Sequence, residues 1–153
     1  QKAELLSSSS NIASLSIDML RDYTKRVADI RYGVGNSRLA KSVLQYLQRN
    51  PGERIVTSRL AQMLNMNRSY LCTRFHAETG KTIGEFITQV RIEKAKNMLA
   101  TSSLSLVQIS EYLAFSSQSH FQRVFKSIVG ITPHEYRKSI AAGKSIQPAG
   151  PDA

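Results

Sequence analysis

Between Ile109 and Arg137 the chain reads ISEYLAFSSQSHFQRVFKSIVGITPHEYR, and a looser version of the same pattern lies upstream of it. With Gly80 laid over Gly130, a constant offset of fifty pairs Leu71 with Phe121, Phe75 with Phe125, Thr82 with Thr132, Glu85 with Glu135 and Phe86 with Tyr136, and it also pairs Ser69 with Ser119. Further upstream the offset falls to forty-nine. Leu60 then matches Ile109, Leu64 matches Leu113 and Met66 matches Phe115, so the second copy carries one extra turn residue. Two units are too few for a solenoid, whose stacked repeats bury a shared core. The pattern restricts the chain to a duplicated small helical unit, and each copy has the helix, turn, helix order of a nucleic-acid reading head.

Spacing and breakers then divide the chain. Residues 7–10 are four serines, followed by Ile12, Leu15, Met19, Tyr23, Val27 and Ile30 at helical spacing, which predicts an amphipathic helix within 1–35. Gly33 and Gly35 predict a hinge after it. The repeat-bearing domain is expected over 36–140. Asn36 caps a helix running to about Gln48, with Leu39, Val43, Leu44 and Leu47 inward, and Asn50-Pro51-Gly52 stops it. The first helix-turn-helix is expected over 57–80: Leu60, Ala61 and Leu64 face inward, Asn65 to Asn67 turn, and a helix from Arg68 to Thr79 ends at Gly80, which suits a left-handed C-cap.

Thr82-Ile83-Gly84-Glu85 has capping-box spacing and opens a connector helix over 82–101, with Phe86, Ile87, Val90, Ala95, Met98 and Leu99 apolar. At ~1.5 Å per residue it spans roughly 25 Å and, being helical, fixes the separation of the two copies. Ser105 with Gln108 repeats the capping pattern at the start of a second helix-turn-helix over 105–130. Thr132-Pro133-His134-Glu135 opens a last helix over 132–140, with proline where its missing N–H is harmless. Residues 141–153 read as a frayed tail. No alternating strand pattern of useful length occurs, so the expected fold is all-α. It has two helix-turn-helix subdomains joined by a long linker helix, homeodomain-like with about seven helices, plus the N-terminal amphipathic helix.

A formal charge of +10 and a pI near 10.1 point to a polyanionic partner. Residues 1–35 hold five basic and four acidic side chains against sixteen and seven in the remainder, so the excess lies with the repeats. A single cysteine excludes an internal disulfide and suits a reducing compartment, the cytoplasm. No apolar run approaches the ~20 residues that span a bilayer, and no secretion signal opens the chain, so membrane insertion is not expected. The chain starts at Gln1 and reads as part of something longer, with 1–35 the remnant of a regulatory domain or a dimerisation seam. His76, His120 and His134 lie at no metal-ligand spacing, and Gly33-Val34-Gly35 lacks the strand and third glycine of a nucleotide loop. No catalytic residue, metal or cofactor is predicted. Cys72 as a redox-reactive thiol is the minor chemical alternative.

A helix turns ~100° per residue, so placing Leu71 and Phe75 inward puts Ser69, Thr73 and His76 on the opposite face with Cys72 on its flank. The same arithmetic around Phe121 and Phe125 exposes Ser119, Arg123 and Lys126, flanked by Gln122. Such faces suit a major groove. Arg123 can donate bidentately to guanine, Gln122 or Gln118 can pair with adenine, and Thr73 and Cys72 offer small surfaces to a thymine methyl. Arg68 can reach a base or a phosphate. Phosphates attract donors and helix N-termini, which singles out Thr57, Ser58, Arg59, Ser116, Ser117, Thr132 and His134, with Arg74, Arg91, Lys94 and Lys126 extending the basic track.

The serine-glutamine-serine turn, the core of Phe121, Arg123, Phe125 and Lys126, and the Gly-x-Thr-Pro-x-x-Tyr-Arg ending from Gly130 to Arg137 together resemble the signature region of the AraC/XylS family of bacterial transcription regulators, and the resemblance extends over about Asn36 to Ile140. It implies a seven-helix domain that places one recognition helix in each of two successive major grooves of double-stranded DNA. It also implies a sequence-specific transcription regulator, an activator with RNA polymerase as partner, working at the nucleoid and dimerising through its N-terminal segment or a separate domain. The family's base-reading positions fall on Arg68, Ser69, Cys72 and Thr73, then on Gln118, Ser119, Gln122 and Arg123. The chain departs from the family at Ser110, where alanine is usual, and at Ala114, where glycine is usual. Thr73 supplies no long donor, so the first unit is expected to contribute position more than discrimination. The rival reading is a helical protein-interaction or oligomerisation module, in which Arg123 has no role in activity.

Overall fold

The computed structural model describes Gly35 and residues 37–143. The amphipathic helix expected within 1–35, the Asn36 cap and the chain beyond 143 lie outside the described residues. Seven helices and no strand occur among the described residues: α1 (Arg38–Arg49), α2 (Thr57–Met63), α3 (Arg68–Thr79), α4 (Ile83–Thr101), α5 (Leu106–Tyr112), α6 (Gln118–Val129) and α7 (Pro133–Ala141).

The helices form two packed units on one shared element. In the first, α1 buries Leu39, Ala40, Val43, Leu44 and Leu47, α2 buries Leu60 and Ala61, and α3 buries Leu71 and Phe75. In the second, Ile109, Leu113, Phe121, Phe125 and Val129 pack with Ile92, Ala95 and Leu99 of α4, flanked by Phe115 and Tyr136. Phe75 meets Phe86 edge-on at 5.3 Å, and Phe125 meets Tyr136 in the same way at 5.5 Å, so the fifty-residue repeat reproduces an aromatic contact as well as a sequence pattern. Helices α2 and α5 are seven residues each, well below the ~12–15 residues at which an isolated helix is marginal. Burial of a large apolar side chain contributes about 1.5–3 kcal/mol, so packing of Leu60 and Ile109 outweighs propensity there.

Helix α4 buries two apolar stripes. Its first half buries Ile83, Phe86, Ile87 and Val90, its second half Ile92, Ala95 and Leu99. At ~100° per residue the two groups lie roughly 160° apart around the axis. Ile83 and Ile92, not among the expected apolar positions, are buried, and Met98 packs half-buried against the second core. Nineteen residues give α4 a length of about 28 Å.

Both tight turns close identically. Asn65 and Ala114 adopt left-handed backbone at φ 52 and 55. Asn65 and Ala114 donate their N–H groups to Gln62 O and Glu111 O, and Met66 and Phe115 donate theirs to Ala61 O and Ser110 O at 2.8 and 2.9 Å. This is the Schellman closure, satisfying carbonyls a helix end leaves open. The extra residue of the second copy is Ser116, between Phe115 and the N-cap Ser117; its counterpart turn passes directly from Met66 to the N-cap Asn67. Buried Ser110 donates its hydroxyl to Val107 O at 2.8 Å, so its departure from the family's alanine leaves no polar group unsatisfied.

Left-handed backbone costs a residue with a Cβ about 1–2 kcal/mol, against about 0.5–1 kcal/mol of chain entropy for glycine. Ala114→Gly is therefore expected to raise unfolding free energy by about 0.5–1 kcal/mol. Urea titration measures it, and a lower midpoint for the variant contradicts the argument. The capping boxes supply a second expectation. Thr82 gives its N–H and hydroxyl to Glu85 Oε2 at 2.8 and 2.9 Å, and Thr132 gives both to Glu135 Oε2 at 2.8 Å. The backbone donors first, then the hydroxyls, hold both carboxyls below the ordinary 4.5. Lowered pKa values mean stabilisation present above 4.5 and lost as pH falls through the folded-state values. The Glu85→Gln/Glu135→Gln double variant is expected to lose less stability than the parent between about pH 5 and pH 3. Equal losses, followed by urea unfolding at each pH, run against this assignment.

Candidate nucleic-acid interface

Helices α3 and α6, twelve residues each, are the two candidate reading elements. Each begins on a side-chain cap: Asn67 Oδ1 accepts from Ser69 N at 2.8 Å and Ser117 Oγ from His120 N at 3.1 Å. Each ends on a left-handed glycine, Gly80 at φ 70 and Gly130 at φ 89. Caps and buried aromatics fix the rotation of each helix about its own axis, and that rotation decides which side chains face out.

On α3, Arg68, Ser69, Cys72 and Thr73 are exposed. On α6, Ser119 and Arg123 are exposed while Gln118 and Gln122 are half-buried, so the two glutamines have less reach than spacing alone suggests. Tyr70, 54% exposed and off the Leu71–Phe75 stripe, is a large aromatic on a candidate reading helix that face arithmetic alone does not single out. It holds Arg74, whose guanidinium lies 5.9 Å from the ring and donates to the Tyr70 hydroxyl at 3.2 Å and to Glu78 at 2.7 Å. The Glu78 hydrogen bond, then that of Tyr70, raises the Arg74 pKa above its ordinary value.

The expected phosphate donors fall into distinct groups. Ser58, Ser116, Ser117, Lys126 and His134 are exposed, and Thr57 is half-buried. Ser116 Oγ lies 3.0 Å from His120 Nδ1. Arg59 is exposed but paired with Glu53 at 2.8 Å. Lys94 sits 5.3 Å over the Tyr112 ring. Thr132 is already used: its N–H and hydroxyl protons both go to Glu135. Arg91 departs furthest from expectation. It is half-buried, donates to Glu53 O at 3.0 Å, and makes a longer 3.5 Å contact to Ala114 O. Desolvation, with repulsion from Arg54, lowers its pKa. Glu53, absent from the expected site residues, also takes the Tyr46 hydroxyl at 2.6 Å, a bond that holds the phenol pKa above its ordinary value.

Among the described residues no group of His, Cys, Asp and Glu side chains could hold a metal ion, and no helix is long and apolar enough to cross a membrane.

Two reading helices, each behind a Schellman turn and both anchored to one continuous helix, define a tandem helix-turn-helix domain. Residues 60–139 match the helix-turn-helix domain family. The chain is 32% identical over 129 residues to the raffinose operon transcriptional regulatory protein RafR of Pediococcus pentosaceus, covering 84% of this chain and 46% of that protein. It is similar in structure to the DNA-binding domain of the global transcriptional factor AdpA, solved in complex with a target DNA, at TM-score 0.62 and 26% identity, with 70% of this chain and 96% of that one covered. It is likewise similar to the xylose-binding transcription activator xylR, at TM-score 0.60 and 29% identity over 67% of this chain and 27% of that one. The chain belongs to the AraC/XylS family, as a DNA-binding domain of transcriptional regulators and not an enzyme. It spans less than half the length of the curated relatives RafR and the Streptococcus mutans msm operon regulatory protein.

Among the described residues Lys126 makes no ion pair, whereas Arg59 is tied to Glu53. A cation on a phosphate contributes about 0.9 to the slope of log affinity against log salt. Lys126→Ala is expected to reduce that slope by about one and Arg59→Ala by clearly less. Filter binding at several salt concentrations measures both; a larger change for Arg59 reverses the ranking.

Proposed function

We propose that this chain reads a specific double-stranded DNA sequence for a bacterial transcription regulator, laying α3 and α6 into successive major grooves on one face of the duplex. The observation that carries this reading is the pairing of two equally long, equally capped helices, each anchored by buried aromatic or aliphatic side chains and presenting a polar face. Arg123 donates to guanine O6 and N7, Gln118 and Gln122 face adenine, and Ser119 lies beside them. Arg68, Ser69, Cys72 and Thr73 form the α3 contact, whose short side chains favour placement over discrimination. Ser58, Ser116, Ser117, Lys126 and His134 meet phosphates, with Thr57, Arg59, Arg74 and Lys94 beside them. The complete regulator, on this reading, activates transcription in the cytoplasm by engaging RNA polymerase at the promoter and works as a homodimer through regions outside α1 to α7. The activator named among the relatives supports that sense of regulation.

The test is a binding site selected from random DNA by the parent chain at stated salt. Arg123→Ala is expected to cost about 1–3 kcal/mol on that site and to relax preference at one base position. Gel-shift titration on the selected and base-altered sites reads both. Unchanged affinity and unchanged preference would sink the proposal and favour a protein-interaction module.

A further inference from the structure

Arg91 lies at one point on α4. Val90 is the last buried residue of the stripe serving the first unit, and Ile92 is the first of the stripe serving the second. At that point the helix changes the face it buries. Arg91 reaches from there to both sides. One Nη donates at 3.0 Å to Glu53 O in the loop between α1 and α2, and the other lies 3.5 Å from Ala114 O, the left-handed turn residue of the second helix-turn-helix. These acceptors stand 38 and 23 residues away in the chain. A guanidinium suits this task because its donors form a rigid planar fork that stays charged.

The same loop touches the second unit independently. A Cβ at Gly52 would lie 3.3 Å from Tyr112 O, and Gly52 has no left-handed backbone to account for a glycine there. Close approach of the loop to the last carbonyl of α5, just before the turn, is its physical reason. Lys94, one turn along α4, covers the Tyr112 ring at 5.3 Å.

We propose that Arg91 is a positioning residue, not a phosphate contact. With Gly52 it locks the turn of the second helix-turn-helix against the α1–α2 loop and thereby sets the base-pair spacing between the sequences read by α3 and α6. This rests on the DNA-reading function proposed above. One inserted base pair moves a half-site by about 3.4 Å and rotates it by about a tenth of a turn, a mismatch a locked pair cannot absorb.

The experiment compares the site selected by the parent chain with the same site carrying one base pair more or fewer between its two contacted segments. The parent is expected to prefer the original spacing by at least about tenfold, and Arg91→Met, similar in length but unable to donate, by less than about threefold, with an unchanged salt slope. Arg91→Lys keeps the charge but not the fork and is expected to behave like Arg91→Met. Gly52→Ala, which wedges the junction from the loop side with Arg91 intact, is expected to weaken the spacing preference in the same direction, and it carries the test if the Arg91 variants fail to fold by circular dichroism. Retention of the parental preference by Arg91→Met, or by Gly52→Ala in that case, overturns the proposal. So does a salt slope reduced by about one in Arg91→Met and restored in Arg91→Lys, which returns Arg91 to the phosphates. Failure of the parent to select any site is a different result and defeats the function itself.

Discussion

The structure depends on one helix being buried twice. Helix α4 gives Ile83, Phe86, Ile87 and Val90 to one core and Ile92, Ala95 and Leu99, roughly 160° away, to the other. A helix amphipathic along one stripe could cover only one hydrophobic unit. Two opposed half-length stripes make it a shared wall, so neither unit folds on α4 without fixing part of the surface against which the other packs. The helix starts on the Thr82–Glu85 capping box and ends where Ser102 returns its hydroxyl to Met98 O, so its length is set by local chemistry and its rigidity by packing at both ends.

That division explains what could be read in advance. The helices of the repeats were legible because their signals are local: Gly80 and Gly130 as stops, Thr82 and Thr132 with Glu85 and Glu135 as starts, and a period of three and four through Leu71, Phe75, Phe121 and Phe125. The α3 helix expected from Arg68 to Thr79 runs over those residues. Ile92 is harder to place by the same means: it lies opposite Phe86 and Val90, and its i, i+3, i+7 spacing with Ala95 and Leu99 marks the stripe that the second core covers. Periodicity reports the face of a helix only when one partner covers it.

Charged side chains show the same limit. Sequence assigns Arg59, Arg74, Arg91 and Lys94 a sign and a helix, but not what lies across from them. Glu53 captures Arg59, Glu78 and Tyr70 hold Arg74, the Tyr112 ring lies under Lys94, and two carbonyls face Arg91. Exposed ion pairs are worth about 0–1 kcal/mol, and a phosphate has to displace a carboxylate to reach Arg59 or Arg74. Arg91 is different because it is half-buried, and a buried guanidinium withdrawn from its acceptors leaves unsatisfied charge behind. The basic excess of the repeats is therefore two populations, one available to an anion and one spent on the fold.

The second unit carries the chain's departures, and each has a compensating contact. Ser110 returns its hydroxyl to Val107 O within its own helix. Ser116, the inserted residue, sits beside His120, whose ring packs edge-on to Phe115 at 5.8 Å, and Phe115 in turn meets Phe121 at 5.2 Å. The longer turn is thus carried on an aromatic chain that the first unit, with Met66 and Leu71 at the matching places, does not have. Ala114 has no such offset in its side chain, and its left-handed backbone is held by the N–H bond to Glu111 O and by the two-sided contact that places its carbonyl near Arg91. On the proposed reading, strain kept at the turn and a guanidinium kept off the DNA serve one end: the α6 face, with Arg123 its longest exposed donor, meets the duplex at a fixed distance from α3.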